Sequence, residues 1–257
     1  MWNLVRSTST IRSWSWAPDN LQSSYSAMRN PHDGVRIQIQ VDEKLYLKDP
    51  NSSDVGRRII EQGIRLLDEI GFEAFTLRKL ADRVGTTEPT IYRYFRSKHR
   101  LLLYLTSWYW SWMEYRVHLA TSRIAAPDQR LRDALREITQ PIRADELTPH
   151  IDEAALYRVV VADSSKAYMN RLVDAENREG LFRSYKRLCR RVADMISAVN
   201  PAYAFPVALV STVVESSHMQ KYFAEHLPSL TEVKHAEVDG STTTFLTDLV
   251  FRAIGAA

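Results

Sequence analysis

Between Thr90 and Arg100 the chain carries Arg93, Arg96, Lys98 and Arg100, with His99 among them and no acid. A local excess of cations of this kind suits the phosphate oxygens of a nucleic acid, whereas the whole-chain charge of +3 would not by itself point to one. The residues around this cluster add chemistry that could read bases. Arg93 has a guanidinium fork that matches a guanine edge, Glu88 can accept from a cytosine amino group, and Thr90 can meet a thymine methyl. Tyr92, Tyr94, Lys98 and the free amides at helix starts capped by Thr76 and Ser97 suit phosphate oxygens. A solvated basic helix face would carry a similar cluster, so the spacing of the apolar residues has to decide between the two.

That spacing predicts a helix, a sharp turn and a second helix. Leu77, Leu80, Ala81 and Val84 recur at helical intervals behind a capping Thr76, and Gly85 supplies a left-handed turn. The next helix is capped by Thr86 or Thr87, tolerates Pro89 in its first turn, and turns Ile91 and Phe95 inward as an i, i+4 pair up to Phe95. Ser97 then caps a fourth helix from Lys98 to near Ile124. Upstream, a first helix begins at Ser52 or Ser53, runs through Ile59, Ile60, Ile64, Leu66, Leu67 and Ile70, and stops at Gly71. A short helix braced across a glycine turn by its predecessor is the geometry a major groove admits. Phe95 belongs to the core in this reading, and Tyr92 is partly exposed.

The rest of the 257 residues bounds the alternatives. Residues 1 to about 34 show scattered Ser, Asn and Pro without periodicity and read as a flexible arm, after which Val35, Ile37, Ile39 and Val41, followed by Leu45 and Leu47, signal a strand or small hairpin. Further helices are expected at about 128–141, 148–162, 164–178, 180–199, 206–227 and 241–254, separated by prolines and glycines. The division that results is 1–50 arm, 51–100 helix-turn-helix, and 101–257 helical effector-binding and dimerisation domain. Cys189 stands alone, no Cys/His set has metal spacing, and no glycine-rich phosphate loop or nucleophile motif occurs. The reading is therefore a protein that is not an enzyme and needs no cofactor or metal. Without a membrane-length apolar run it is expected in the cytoplasm, with no membrane partner.

Trp108-Tyr109-Trp110-Ser111-Trp112-Met113-Glu114-Tyr115 puts aromatic groups all round the fourth helix. Trp108, Trp112, Met113, Tyr115, His118, Tyr157 and His218 are candidate lining residues of a pocket for a flat, apolar or aromatic small molecule, and the same rings would serve equally as ordinary core. Arg183, Lys186, Arg187, Arg190 and Arg191 recur at helical spacing and read as a solvated or salt-bridged face.

The run FTLRKLADRVGTTEPTIYRYFRSKHRLLLYL, preceded by RRIIEQGIRLLDEIGFEAFT, resembles the DNA-binding half of the TetR/AcrR family of regulators. The resemblance spans about Val55 to Leu105 and rests on the Gly-Phe-x-x-Phe-Thr junction, the Leu-Ala pair, the turn glycine, Tyr92, Phe95 and Ser97-Lys98, in that order. It implies an all-α fold with phosphate contacts from Thr76, Tyr92 and Lys98. Groove contacts would come from Arg78, Glu88, Pro89, Thr90, Arg93 and Tyr94, with Thr87 at the same helix start. It also implies a homodimer formed by the last two long helices, about Pro206 to Leu227 and Ser241 to Ile254. Ala208, Leu209, Val213, Val214 and Met219 would be available to that interface. The implied function is a repressor released from a palindromic double-stranded operator by a small-molecule effector. A constitutive DNA-binding protein, an activator without a ligand and a helical enzyme are the alternatives.

Overall fold

Helix follows helix from residue 54 onward because the apolar residues recur on one stripe at a time and are punctuated by caps and breakers. The computed structural model describes residues 25–30, 34–142, 148, 150–233 and 238–256. Its helices are α1 (Asp54–Ala74), α2 (Leu77–Val84), α3 (Glu88–Tyr92), α4 (Lys98–Thr121), α5 (Pro127–Thr139), α6 (Glu153–Tyr168), α7 (Val173–Glu179), α8 (Arg183–Val199), α9 (Pro206–His226) and α10 (Val238–Ala253). Ahead of them an antiparallel hairpin joins β1 (Tyr25–Asn30) to β2 (Gly34–Ile39), with Tyr25 opposite Ile39 and Asn30 opposite Gly34.

The all-α expectation holds for the body of the chain, with three local corrections. Tyr25–Asn30, read as part of an unpatterned arm, is a strand, because a two-stranded ladder needs only backbone pairing and YSAMRN offers no alternation to reveal it. Residues 1–24 of that arm lie outside the described residues. Leu45 and Leu47 do not extend the hairpin. Asp42 accepts from the Lys44 amide and turns Glu43–Leu45 into a short 3-10 helix, which buries Leu45. The expected helices at 148–162 and 164–178 become α6 and the shorter α7, since α6 continues to Tyr168 before the chain turns.

α4 is the axis of the molecule. It packs against α5, α6 and α8, and its residues from Leu101 to Glu114 are buried on every side. That explains why the aromatic run need not be one-faced. α1 joins the two parts of the chain by packing on α2 at one side and α6 at the other. Gly71, where the first helix was expected to stop, has φ 70° and breaks the helical path inside α1. The final turn to Ala74 then delivers Phe75 to the core and Thr76 to the next cap.

Candidate nucleic-acid interface

Two short helices and a glycine turn build the site. Thr76 Oγ1 accepts from the Lys79 amide at 3.2 Å and starts α2, whose Leu77, Leu80, Ala81 and Val84 are buried. Gly85, at φ 71° and ψ 45°, closes the helix in the left-handed region. Its neighbour Thr86 donates back to the Ala81 carbonyl at 2.9 Å, so the chain reverses without losing its terminal hydrogen bonds. Arg83 fixes the outer face of α2 to α1 through a forked contact with Glu69, at 2.7 and 2.5 Å. Arg58 of α1 reaches the Val84 carbonyl on the other side.

α3 is short. Thr87 occupies its N-cap without a side-chain capping bond, and its hydroxyl lies 3.0 Å from that of Thr90. Ile91 and Phe95 are buried, as their spacing predicts, but the helical run ends at Tyr92 with Arg93 as its C-cap, short of the expected Phe95. The outward face presents Thr87, Pro89, Tyr92 and Arg93, with Glu88 and Thr90 partly covered. Tyr92 is 46% exposed. Arg78 on α2 and Arg96 beyond α3 are also exposed.

Two expected contacts have other employment. Tyr94, placed outward by the sequence, is only 4% exposed, because two residues past the helix end it turns inward, and its hydroxyl meets Ser53 Oγ at 2.8 Å. Lys98, expected on a phosphate, sends its Nζ to the carbonyls of Phe72, Glu73 and Phe75 at 2.9, 3.3 and 3.2 Å and lies over the Phe72 ring. It caps the carbonyl end of α1, where a cation complements the helix dipole. The cationic cluster therefore divides. Arg93 and Arg96 face solvent, whereas His99 pairs with the buried Glu176 at 2.9 Å and Arg100 reaches Glu179 at 3.4 Å, both on α7.

Above this, the aromatic candidates pack on one another. Trp108 stacks on Trp112 at 6.1 Å, and Trp108, Trp112 and Met113 are buried. Tyr157 and Trp110 flank the His218 ring, and burial, then Lys221, lowers the His218 pKa to about 3. Tyr157 lines a cleft of about 280 Å³, and its hydroxyl is buried with no hydrogen-bond partner among the described residues. Tyr115 is partly buried against the core. His118 lies 3.5 Å from Arg191, and burial followed by that cation lowers its pKa. The basic series on α8 is a salt-bridged face, as read: Arg187 and Arg191 both hold the buried Glu114, at 3.0 and 3.3 Å. Sequence reasoning missed Glu114 as the centre of that pair, although it stands i, i+4 from His118 at the end of the aromatic run.

A pair of short helices set in a trihelical head, on a larger helical body, defines a helix-turn-helix protein of two parts. The profile of the family described as bacterial regulatory proteins, tetR family, matches residues 59–105, the segment that holds α2, α3 and the start of α4. A similar relative, the HTH-type transcriptional repressor KstR of Mycobacterium tuberculosis, is 31% identical over 111 residues, covering 43% of this chain and 49% of that protein. The class A tetracycline repressor protein from transposon 1721 of Escherichia coli is 43% identical over 44 residues, or 17% of this chain and 20% of that one. The chain thus aligns with about half or less of these relatives. Among solved structures, AibR in complex with isovaleryl coenzyme A and operator DNA is 14% identical with a TM-score of 0.52, covering 74% of this chain and 98% of that one. The fatty acid degradation regulator FadR of Bacillus halodurans is 11% identical with a TM-score of 0.53, covering 77% and 95%. At these identities the likeness establishes the fold.

Proposed function

We propose that the chain is a sequence-specific, ligand-responsive transcriptional repressor that binds a palindromic operator as a homodimer. The observation that carries this is the exposed face of α3, where Thr87, Pro89, Tyr92 and Arg93 face solvent and Glu88 and Thr90 are partly exposed, over a core that buries Ile91 and Phe95. Arg78, Thr90 and Arg93 are assigned to the groove, and Thr76 and Tyr92 to the flanking backbone. Residues 51–100 form the DNA-binding unit, and residues 101–257 the effector and dimerisation unit.

The dimer draws support from the outer face of the last two long helices. Met219 and Tyr222 on α9 and Phe245 and Leu249 on α10 are exposed apolar groups. Leu209, Val213 and Val214, expected at that interface, are buried inside the chain, while Ala208 and Met219 remain on the surface. One short recognition helix makes a small DNA interface, and a twofold pair doubles it. The small-molecule site is assigned to the aromatic region of α4, α6 and α9, next to the unpartnered Tyr157 hydroxyl. Release from DNA follows if the effector shifts α4, which starts at Lys98, a short turn after the recognition helix ends at Tyr92. The relatives are transcriptional regulators, in keeping with a protein that is not an enzyme and acts in the cytoplasm.

Selection of bound duplexes from a random pool tests this reading. An inverted repeat with half-sites about one helical turn apart is expected. Failure to enrich any sequence contradicts it.

A further inference from the structure

The segment between the hairpin and α1, residues 40–53, precedes the matched family region and lies across the molecule as a strap. Its tethers are specific. Leu47 donates its amide to the carbonyl of Tyr94, at the foot of the recognition helix, at 2.8 Å. Asn51 Nδ2 donates to the Tyr104 hydroxyl of α4 at 3.3 Å, and Tyr46 sets its ring edge-on to Tyr104 at 6.1 Å. At the other end Lys44 Nζ reaches the Glu179 carbonyl at 3.0 Å, and Asp42 stands 4.0 Å from Arg183 of α8. One segment of chain therefore touches the turn after the recognition helix, α4, the end of α7 and the start of α8.

Beneath the strap opens a cleft of about 560 Å³, a size that holds a small molecule. The wall facing the strap carries the hydroxyls of Ser107, Ser111 and Ser184, with Arg183 and Arg187 one helical turn apart beside them. Arg187 is held by its Nε to Glu114, which orients the guanidinium and leaves its terminal nitrogens without a hydrogen bond to other described residues. Arg183 is 67% exposed, and its nearest carboxylate is the distant one of Asp42. Leu181 and the Tyr46 and Tyr104 rings supply an apolar floor.

We propose that this cleft, apart from the aromatic cluster, is a binding site for a small molecule with a carboxylate or phosphate group on a compact apolar body. The anion takes Arg183 and Arg187 with the serine hydroxyls, and the body lies on Leu181 and the tyrosine rings. In doing so it replaces Asp42 as the partner of Arg183 and frees the strap end. The strap passes the change to Tyr94 through Leu47. This last step rests on the regulator reading above; the binding step does not.

The test titrates benzoate and phenyl phosphate separately into the full chain by calorimetry, comparing the parent with Arg183→Ala and Asp42→Asn. Both changes lie on the surface side of the cleft, and matching thermal melts verify folding. Saturable binding to the parent is expected for at least one probe, which also tells carboxylate from phosphate. It should weaken about tenfold or more in Arg183→Ala and tighten by about threefold in Asp42→Asn, because the competitor is gone. No saturable binding by either probe, or equal affinity in all three proteins, overturns the site. Hydrogen exchange at the Leu47 amide should quicken with the bound probe, and an unchanged rate overturns the strap coupling. A chain that binds probe as expected but no duplex contradicts the regulator reading while upholding the site.

Discussion

Lys98 illustrates how a single side chain changes meaning once its surroundings are known. Its charge belongs to the cationic cluster in the sequence, yet its ammonium serves three carbonyls at the end of α1. Lys98→Ala should therefore lower the stability of the chain by about 1.5–3 kcal/mol in thermal or denaturant unfolding, the usual worth of charge-assisted bonds. An unchanged melt with uniformly weakened DNA binding would return it to the phosphate-contacting set. His218 offers a second check at this scale. Buried between Trp110 and Tyr157, it keeps a pKa of about 3 when folded, well below the ordinary histidine value. The unfolded chain binds the proton more readily between these two values, so stability present at neutral pH is lost as pH falls below the unfolded value. The loss attributable to this ring is about 2 kcal/mol near pH 5, and His218→Gln should flatten that part of the stability profile. A profile unaltered by the substitution would place the acid sensitivity elsewhere.

Among the elements, the glycine turn between α2 and α3 sets the exposure of the recognition helix. Gly85 sits at φ 71°, and although an added methyl would meet only an Arg58 nitrogen at 3.6 Å, the left-handed backbone itself penalises it. Gly85→Ala should cost about 1–2 kcal/mol in chemical unfolding, with weaker DNA binding as the helix is displaced. A neutral result would mean that the turn relaxes freely. Gly56 is constrained differently: a methyl there would lie 2.2 Å from the Pro50 carbonyl oxygen, so α1 and the strap approach closely only because the side chain is absent. The helix-turn-helix was legible in the sequence for the same local reasons that make it fold. Thr76, Gly85 and Ser97 each punctuate a stretch whose apolar residues have one period, and the structure places α2 at the residues that spacing predicts. What was not legible depended on contacts distant in the chain. Nothing around Tyr94 indicates that Ser53 will receive its hydroxyl, and nothing around His99 names Glu176. The run from Trp108 to Tyr115 indicated burial on all sides but not which rings would meet.

On the scale of the whole molecule, two readings meet: a head exposed for DNA, and a body whose last helices keep an apolar face. If α9 and α10 pair with a second copy, Phe245→Glu should convert the species seen in sedimentation from dimer to monomer while leaving helical content intact. A parent chain that sediments as a monomer at all concentrations would remove the twofold symmetry. The head and body are joined by the α1–α6 packing, by His99–Glu176 and Arg100–Glu179, and by the strap, so a change in the body has several routes to α3. The central claim remains that the exposed face of α3 reads base sequence. The most direct measurement is the affinity of the parent and Arg93→Ala for a selected duplex and for the same duplex shuffled, each followed across salt concentration. The parent should prefer the selected duplex by about a thousandfold or more, and Arg93→Ala should lose about 1–3 kcal/mol of that preference while shuffled binding changes little. Equal affinity of the parent for both duplexes, or a variant that keeps the full preference, would contradict it.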